Sequence, residues 1–162
     1  MHSKGIILVV SLLLSIGCFA CNGNKTKLGP KAEYHSASKE LLRTISQSND
    51  RQVIEKSAKN VAELAIPVIK GLVESNSTCA NLANFIQSKK SAMYEMKPSE
   101  IEVGYHEGKA LPKFPDDCHD LKELIVHPAT VVSLAKFSPD LAKAKGQMKD
   151  EIEEVLAHFE AL

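Results

Sequence analysis

The stretch DRQVIEKSAKNVAELAIPVIKGLVE, Asp50 to Glu74, decides the fold. Ile54, Ala58, Val61, Ala65, Val68, Ile69 and Leu72 recur at alternating steps of three and four, the period that lines apolar side chains along one face of a helix. Asp50 is a favourable N-cap, because its carboxylate can accept from the free amides of the first turn. Pro67 interrupts the pattern. It has no amide to donate and its ring crowds the preceding turn, so a kink or two helices in series is expected there.

The same period extends to either side. Tyr34, Leu41, Leu42 and Ile45 stripe a helix from about Glu33 to Gln47, which Ser48-Asn49-Asp50 stops. Beyond Ser75-Asn76-Ser77, a helix opened by Ser77 or Thr78 turns Cys79, Leu82, Phe85, Ile86 and Met93 inward, and Pro98 ends its reach. Further on, Asp117 is expected to cap a short helix through Leu124, and Pro128 to open another carrying Val131, Val132 and Leu134. Ser138-Pro139-Asp140 begins the last helix, with Leu141, Met148, Ile152, Val155, Leu156 and Phe159 on its stripe. The expected fold is all-α, a bundle of five to seven helices with one long irregular loop, forming a domain over 33–162.

That loop is Met96 to Asp117, which holds Pro98, Gly104, Gly108, Pro112 and Pro115. Within 99–111 two readings stand. Ile101, Val103 and Tyr105 alternate as a strand would, whereas Ser99 and Glu102 have the spacing of a helical capping box. Composition favours helices elsewhere: the chain is 44% apolar but only 5% aromatic, without tryptophan, so Leu, Ile, Val and Ala must supply the core. Basic and acidic residues number 20 each, which leaves no field of the kind a nucleic-acid partner requires.

At the start of the chain, IILVVSLLLSIGCFA follows a short leader with Lys4. This run suits the core of a signal peptide and falls short of the ~20 apolar residues that span a bilayer, so 1–20 is read as a cleaved export signal. Small residues at Cys18 and Ala20 suit ordinary cleavage. Gly17-Cys18 and Ala20-Cys21 also offer lipidation sites, and in this leader alone the chain resembles bacterial lipoprotein precursors. Ser15-Ile16-Gly17-Cys18 follows their pattern next to the cysteine but has Ser where Leu or Val is usual, and Cys18-Phe19-Ala20-Cys21 departs further. The resemblance implies a periplasmic or membrane-anchored protein that touches the membrane surface only through acyl chains on Cys18 or Cys21. A eukaryotic secretory route, with Asn24 and Asn76 as glycan acceptors, is the alternative origin. Residues 21–32, polar and containing Gly23, Gly29 and Pro30, read as a flexible tether.

Export implies an oxidising compartment, where Cys79 and Cys118, the cysteines clear of the leader, are expected to pair. The bridge would close the irregular loop. A different use is suggested by His106, Cys118, His119 and His127, with Asp116, Asp117 and Asp120 beside them, since imidazole and thiolate suit zinc, copper or iron. Their spacing matches no metal motif, and adjacent Cys118 and His119 diverge on a helix. Read conservatively, His119 lies in an exposed first turn, His127 caps the helix begun at Pro128, and His106 belongs to the loop. His35 and His158 read as lone helical histidines, Glu151, Glu153 and Glu154 as a solvated acidic face, and Met93, Met96 and Met148 as core filler rather than haem ligands.

The sequence carries no nucleophile–base pair, phosphate-binding glycine loop or H-E-x-x-H zinc pair. Cys18-Phe19-Ala20-Cys21 has the thiol spacing of a haem-attachment motif without the histidine. Two functional readings follow. The first is an exported, non-enzymatic helical binding or interaction protein of the cell envelope, without a cofactor, which presents the Met96 to Asp117 loop to a protein or small ligand. The second is a periplasmic carrier that holds a transition metal or haem through His106, His119 and His127.

Overall fold

The computed structural model describes residues 28–162. The leader, Cys18, Cys21 and the first part of the tether lie outside them. Six α-helices occur in order: α1 Pro30–Gln47, α2 Arg51–Ser75, α3 Ala80–Met93, α4 Pro98–Ile101, α5 His119–Phe137 and α6 Leu141–Glu160. No strand occurs among the described residues, and the all-α expectation holds. None of these helices is long and apolar enough to cross a membrane.

Helix α1 starts at Pro30, in the first-turn position where a missing amide costs nothing, so 30–32 belong to the helix and not to a tether. Tyr34, Leu41 and Ile45 bury its stripe. Helix α2 begins at Asp50, whose side chain accepts from the Gln52 amide at 2.8 Å, and runs unbroken through Pro67. The reason is positional. Pro67 and Glu63, whose carbonyl the proline cannot serve, both lie on the exposed side, where water can replace the lost donor. Ile54, Ala58, Val61, Ala65, Val68 and Ile69 are buried as the period requires.

Asn76 accepts from the Thr78 amide at 3.1 Å and starts a 3-10 turn, Ser77–Cys79, that leads into α3. Within 99–111 the helical reading is right and the strand reading is not: α4 passes directly into a π-helical turn, Glu102–His106. The expected Ser99–Glu102 box is displaced, because the helix begins at Pro98 and the Lys97 amide donates to Glu100 Oε2 at 2.6 Å. Gly108, at φ +81°, then reverses the chain through a backbone conformation that L side chains avoid.

Helix α5 is the centre of the bundle, with every residue from Leu121 to Ala135 buried beneath α2, α3, α6 and the α4 segment. It replaces the two short helices expected on either side of Pro128. The proline leaves the Leu124 carbonyl without its helical donor, and the Tyr34 hydroxyl donates to that carbonyl at 3.0 Å. A short connection over 138–140 turns the chain into α6, where Asp140 accepts from the Lys143 amide at 3.2 Å. Met148, Ile152 and Val155 bury the α6 stripe. Cys79 and Cys118 are joined, with Cα atoms 5.5 Å apart and 39 positions between them in sequence, so the bridge ties the start of α3 to the start of α5.

Candidate metal centre

On an α-helix, residues four apart stack on one face. His119, Glu123 and His127 therefore form a single stripe along α5, extended by Thr130 one turn later. Helix α6 returns antiparallel and brings Glu151 opposite His127 and His158 opposite Asp120. The π turn after α4 supplies His106 from a third side. Four of the chain's six histidines meet here: ring centroids are 4.8 Å apart for His106 and His127, 5.4 Å for His127 and His158, and 5.6 Å for His119 and His158.

Carboxylates fix the orientation of two of these rings. His127 Nδ1 lies 2.8 Å from Glu151 Oε2, and His158 Nδ1 lies 2.7 Å from Asp120 Oδ1. A ring whose Nδ1–H donates to a carboxylate turns its Nε2 lone pair the other way, which is the arrangement that precedes metal ligation. His127 Nε2 has that orientation and makes no hydrogen bond, although the residue is only 2% exposed. Facing it at 3.7 Å is Glu123 Oε2, likewise buried and without a hydrogen bond.

His106 Nδ1 approaches the same Glu123 oxygen at 3.3 Å, off the line that a hydrogen bond needs, while its Nε2 is 3.1 Å from Thr130 Oγ1. The other carboxylate oxygen, Glu123 Oε1, pairs with the ammonium of Lys122 and stands 3.3 Å from His119 Nε2. Lys122 is fully buried. From His119, about half exposed, the cluster descends through His158 and His106 to Glu123 and His127 in the interior.

These neighbours shift two protonation equilibria. Burial would raise the Glu123 carboxyl, but the contact with His106, the adjacent Lys122 ammonium and the His127 ring outweigh it and hold the pKa down to about 2. For His106 burial works against the charged ring, yet the Glu123 contact and the charges of Glu123, Glu151 and Glu102 prevail and raise its pKa.

The geometry suits a cation. Two ligands held about 2.0–2.1 Å from a tetrahedral ion are ~3.4 Å from each other, close to the spacings of Glu123 Oε2 from His106 Nδ1 and His127 Nε2. Ligand atoms of Glu123, His127 and His158 all lie within 4.8 Å of one another, as do those of His106, His127 and Glu151, and those of His119, Asp120 and His158.

No family model, curated protein or solved structure matches this chain. Its chemistry must therefore be read from the residues. Of the metal-ligating residues expected from sequence, His106, His119 and His127 do converge, whereas Cys118 is committed to the disulfide and leaves the set. Four readings are corrected. His127 is a buried residue in the middle of α5 and not a cap, because Pro128 lies inside the helix. His106 is turned inward, and His158, with Asp120, is part of the cluster. Glu151 is buried against His127, while its neighbours Glu153 and Glu154 are exposed as a solvated face should be.

Sequence reasoning did not find Glu123, Lys122, Glu151 or His158 as members of a site. A signal exists: His119-x-x-x-Glu123-x-x-x-His127 places three ligating side chains on one helical face. A helix break at Pro128 hides it, by putting His127 at a boundary. The irregular Met96 to Asp117 segment carries His106 into the cluster through a π turn, a local widening that recurs where a helix must aim a functional side chain.

Proposed function

We propose that this chain is an exported helical protein that binds a divalent transition-metal ion at the α5–α6 cluster. Glu123, His106, His127 and His158 hold the ion, and Glu151 and Asp120 orient two of the imidazoles behind it. The observation that carries this reading is the pair of buried, unbonded atoms, Glu123 Oε2 and His127 Nε2, 3.7 Å apart. Leaving such a group unpaired costs about 1–3 kcal/mol, and two that face each other across a ligand-sized gap are explained by a cation that both coordinate.

With both cysteines of the domain in a disulfide, the donors are nitrogen and oxygen only. That set suits Zn²⁺ and the neighbouring divalent ions, Mn²⁺ to Cu²⁺, rather than Cu⁺ or an iron–sulfur cluster. A haem is disfavoured, because the imidazoles pack against one another and against carboxylates with no planar gap between them. The carrier reading fits this site better than an interaction surface on the loop.

The test is metal titration of the purified domain after chelator treatment, with Zn²⁺ followed by calorimetry and Co²⁺ by its visible bands. Micromolar or tighter binding that disappears in the His127→Ala, Glu123→Ala double variant is the expected result. Wild-type protein that takes up neither ion would overturn the proposal.

A further inference from the structure

Lys122 is among the largest fully buried side chains of the protein, and burying an ammonium is costly unless it is paired. Its partner is the Glu123 carboxylate next to it in sequence, through Oε1, the oxygen that does not face His106 and His127. The cluster around it holds more donors than one ion can use: four imidazoles and the carboxylates of Asp120, Glu123 and Glu151. A free carboxylate in such a setting bridges two ions, one on each oxygen, as in paired-metal sites with ions about 3.5–4 Å apart. His106 and His127 flank one oxygen of Glu123 and His119 the other, which is the layout of such a bridge.

Resting on the metal-binding reading above, we infer that Lys122 is a built-in cation that occupies the second oxygen of Glu123 and limits the centre to one divalent ion. Removing the ammonium frees Glu123 Oε1, 3.3 Å from His119 Nε2, to take a cation of its own. Lys122 is thus a positioning residue. It makes Glu123 a terminal ligand and touches no metal itself.

The experiment compares the wild-type protein, Lys122→Met and Lys122→Arg, each loaded with excess Co²⁺ or Mn²⁺, desalted and assayed for metal per chain and for spin coupling by electron paramagnetic resonance. Wild type and Lys122→Arg should hold about one uncoupled ion, and Lys122→Met about two coupled ions. Circular dichroism establishes that each variant is folded. A folded Lys122→Met that still binds one ion overturns the inference. So does a wild type that binds two, whether or not the methionine variant folds, although the metal-binding reading would survive that result. A wild type that binds none removes the metal-binding reading itself. In the wild type, the ¹⁵N signal of the Lys122 ammonium should persist in slow exchange after loading with Zn²⁺, and its loss would count against the assignment.

Discussion

The Tyr34 hydroxyl donates to the Leu124 carbonyl at 3.0 Å, joining α1 to the central helix at the one carbonyl that Pro128 leaves without a helical donor. Both residues are fully buried, so no water can take over. Tyr34→Phe should therefore cost about 1–3 kcal/mol, the penalty for a stranded buried acceptor rather than the smaller net value of an ordinary hydrogen bond. Pro128→Ala supplies the missing amide. In that background Tyr34→Phe should cost clearly less, and urea denaturation of the four proteins of this cycle measures the difference. Equal costs in the two backgrounds would show that the tyrosine does not act through Leu124.

This relationship also explains which parts of the molecule the sequence discloses. Period located α1, α2, α3 and α6, because each is amphipathic, and Asp50 and Asp140 fixed the starts of two of them, but α1 begins three residues earlier than the stripe shows and α2 runs through Pro67 where a break is expected. Helix α5 is different. It is buried all round, so it shows no stripe, and its proline is accommodated by a hydroxyl 90 positions away that no local pattern contains. The site suffers from the same cause. His106, His119 and His127 carry recognisable chemistry, but Lys122, Glu123 and Glu151 read as surface charges until α6 is folded against α5, and only the return of that helix pairs His158 with Asp120.

All three tyrosines have phenol groups whose pKa is raised by burial, Tyr34 and Tyr94 most strongly, with the Glu63 charge adding to the effect at Tyr94. An unfolded tyrosine ionises near pH ~10. Because the folded pKa lies above that value, the stabilisation is complete below pH ~10 and is lost as the pH rises beyond it, by about 1.4 kcal/mol per pH unit for each of Tyr34 and Tyr94. Phenolate absorbance at alkaline pH should then rise together with the loss of helical circular dichroism. Tyrosine ionisation near pH ~10 in a fully helical protein would contradict the burial.

The Cys79–Cys118 bridge closes a loop of 39 positions around the α4 segment, which corresponds to about 3–4 kcal/mol in the chain-entropy description. A Cys79→Ala, Cys118→Ala protein should lose stability of that order in urea. Non-reducing mass spectrometry of the wild type should find the two cysteines in one linked peptide. Reductant should leave the double variant's midpoint unchanged while lowering that of the wild type; identical midpoints for wild type and variant would mean that the bridge contributes nothing. Since Cys118 directly precedes His119, the mouth of the cluster should loosen before its interior does.

Within the cluster, residues that would bind the ion are separable from those that orient them. Glu123 presents an unpaired oxygen to the His127 ring, whereas Glu151 reaches the opposite nitrogen of that ring at 2.8 Å. Glu123→Ala removes a ligand and should weaken Zn²⁺ binding by more than ~100-fold, while Glu151→Gln keeps an acceptor behind His127 but drops its charge and should cost ~10–100-fold. His35, which stacks on Phe159 outside the cluster, serves as the control, and His35→Ala should bind like the wild type. Competition against a chromophoric chelator at fixed pH gives all four affinities. The same protein at zinc concentrations ~100-fold above its dissociation constant should gain about 2.7 kcal/mol of stability, a gain abolished by Glu123→Ala and reversed by chelation. If Glu123→Ala and Glu151→Gln weakened binding equally and slightly, the buried pair Glu123 and His127 would be a polar contact of the bundle core and not the seat of an ion.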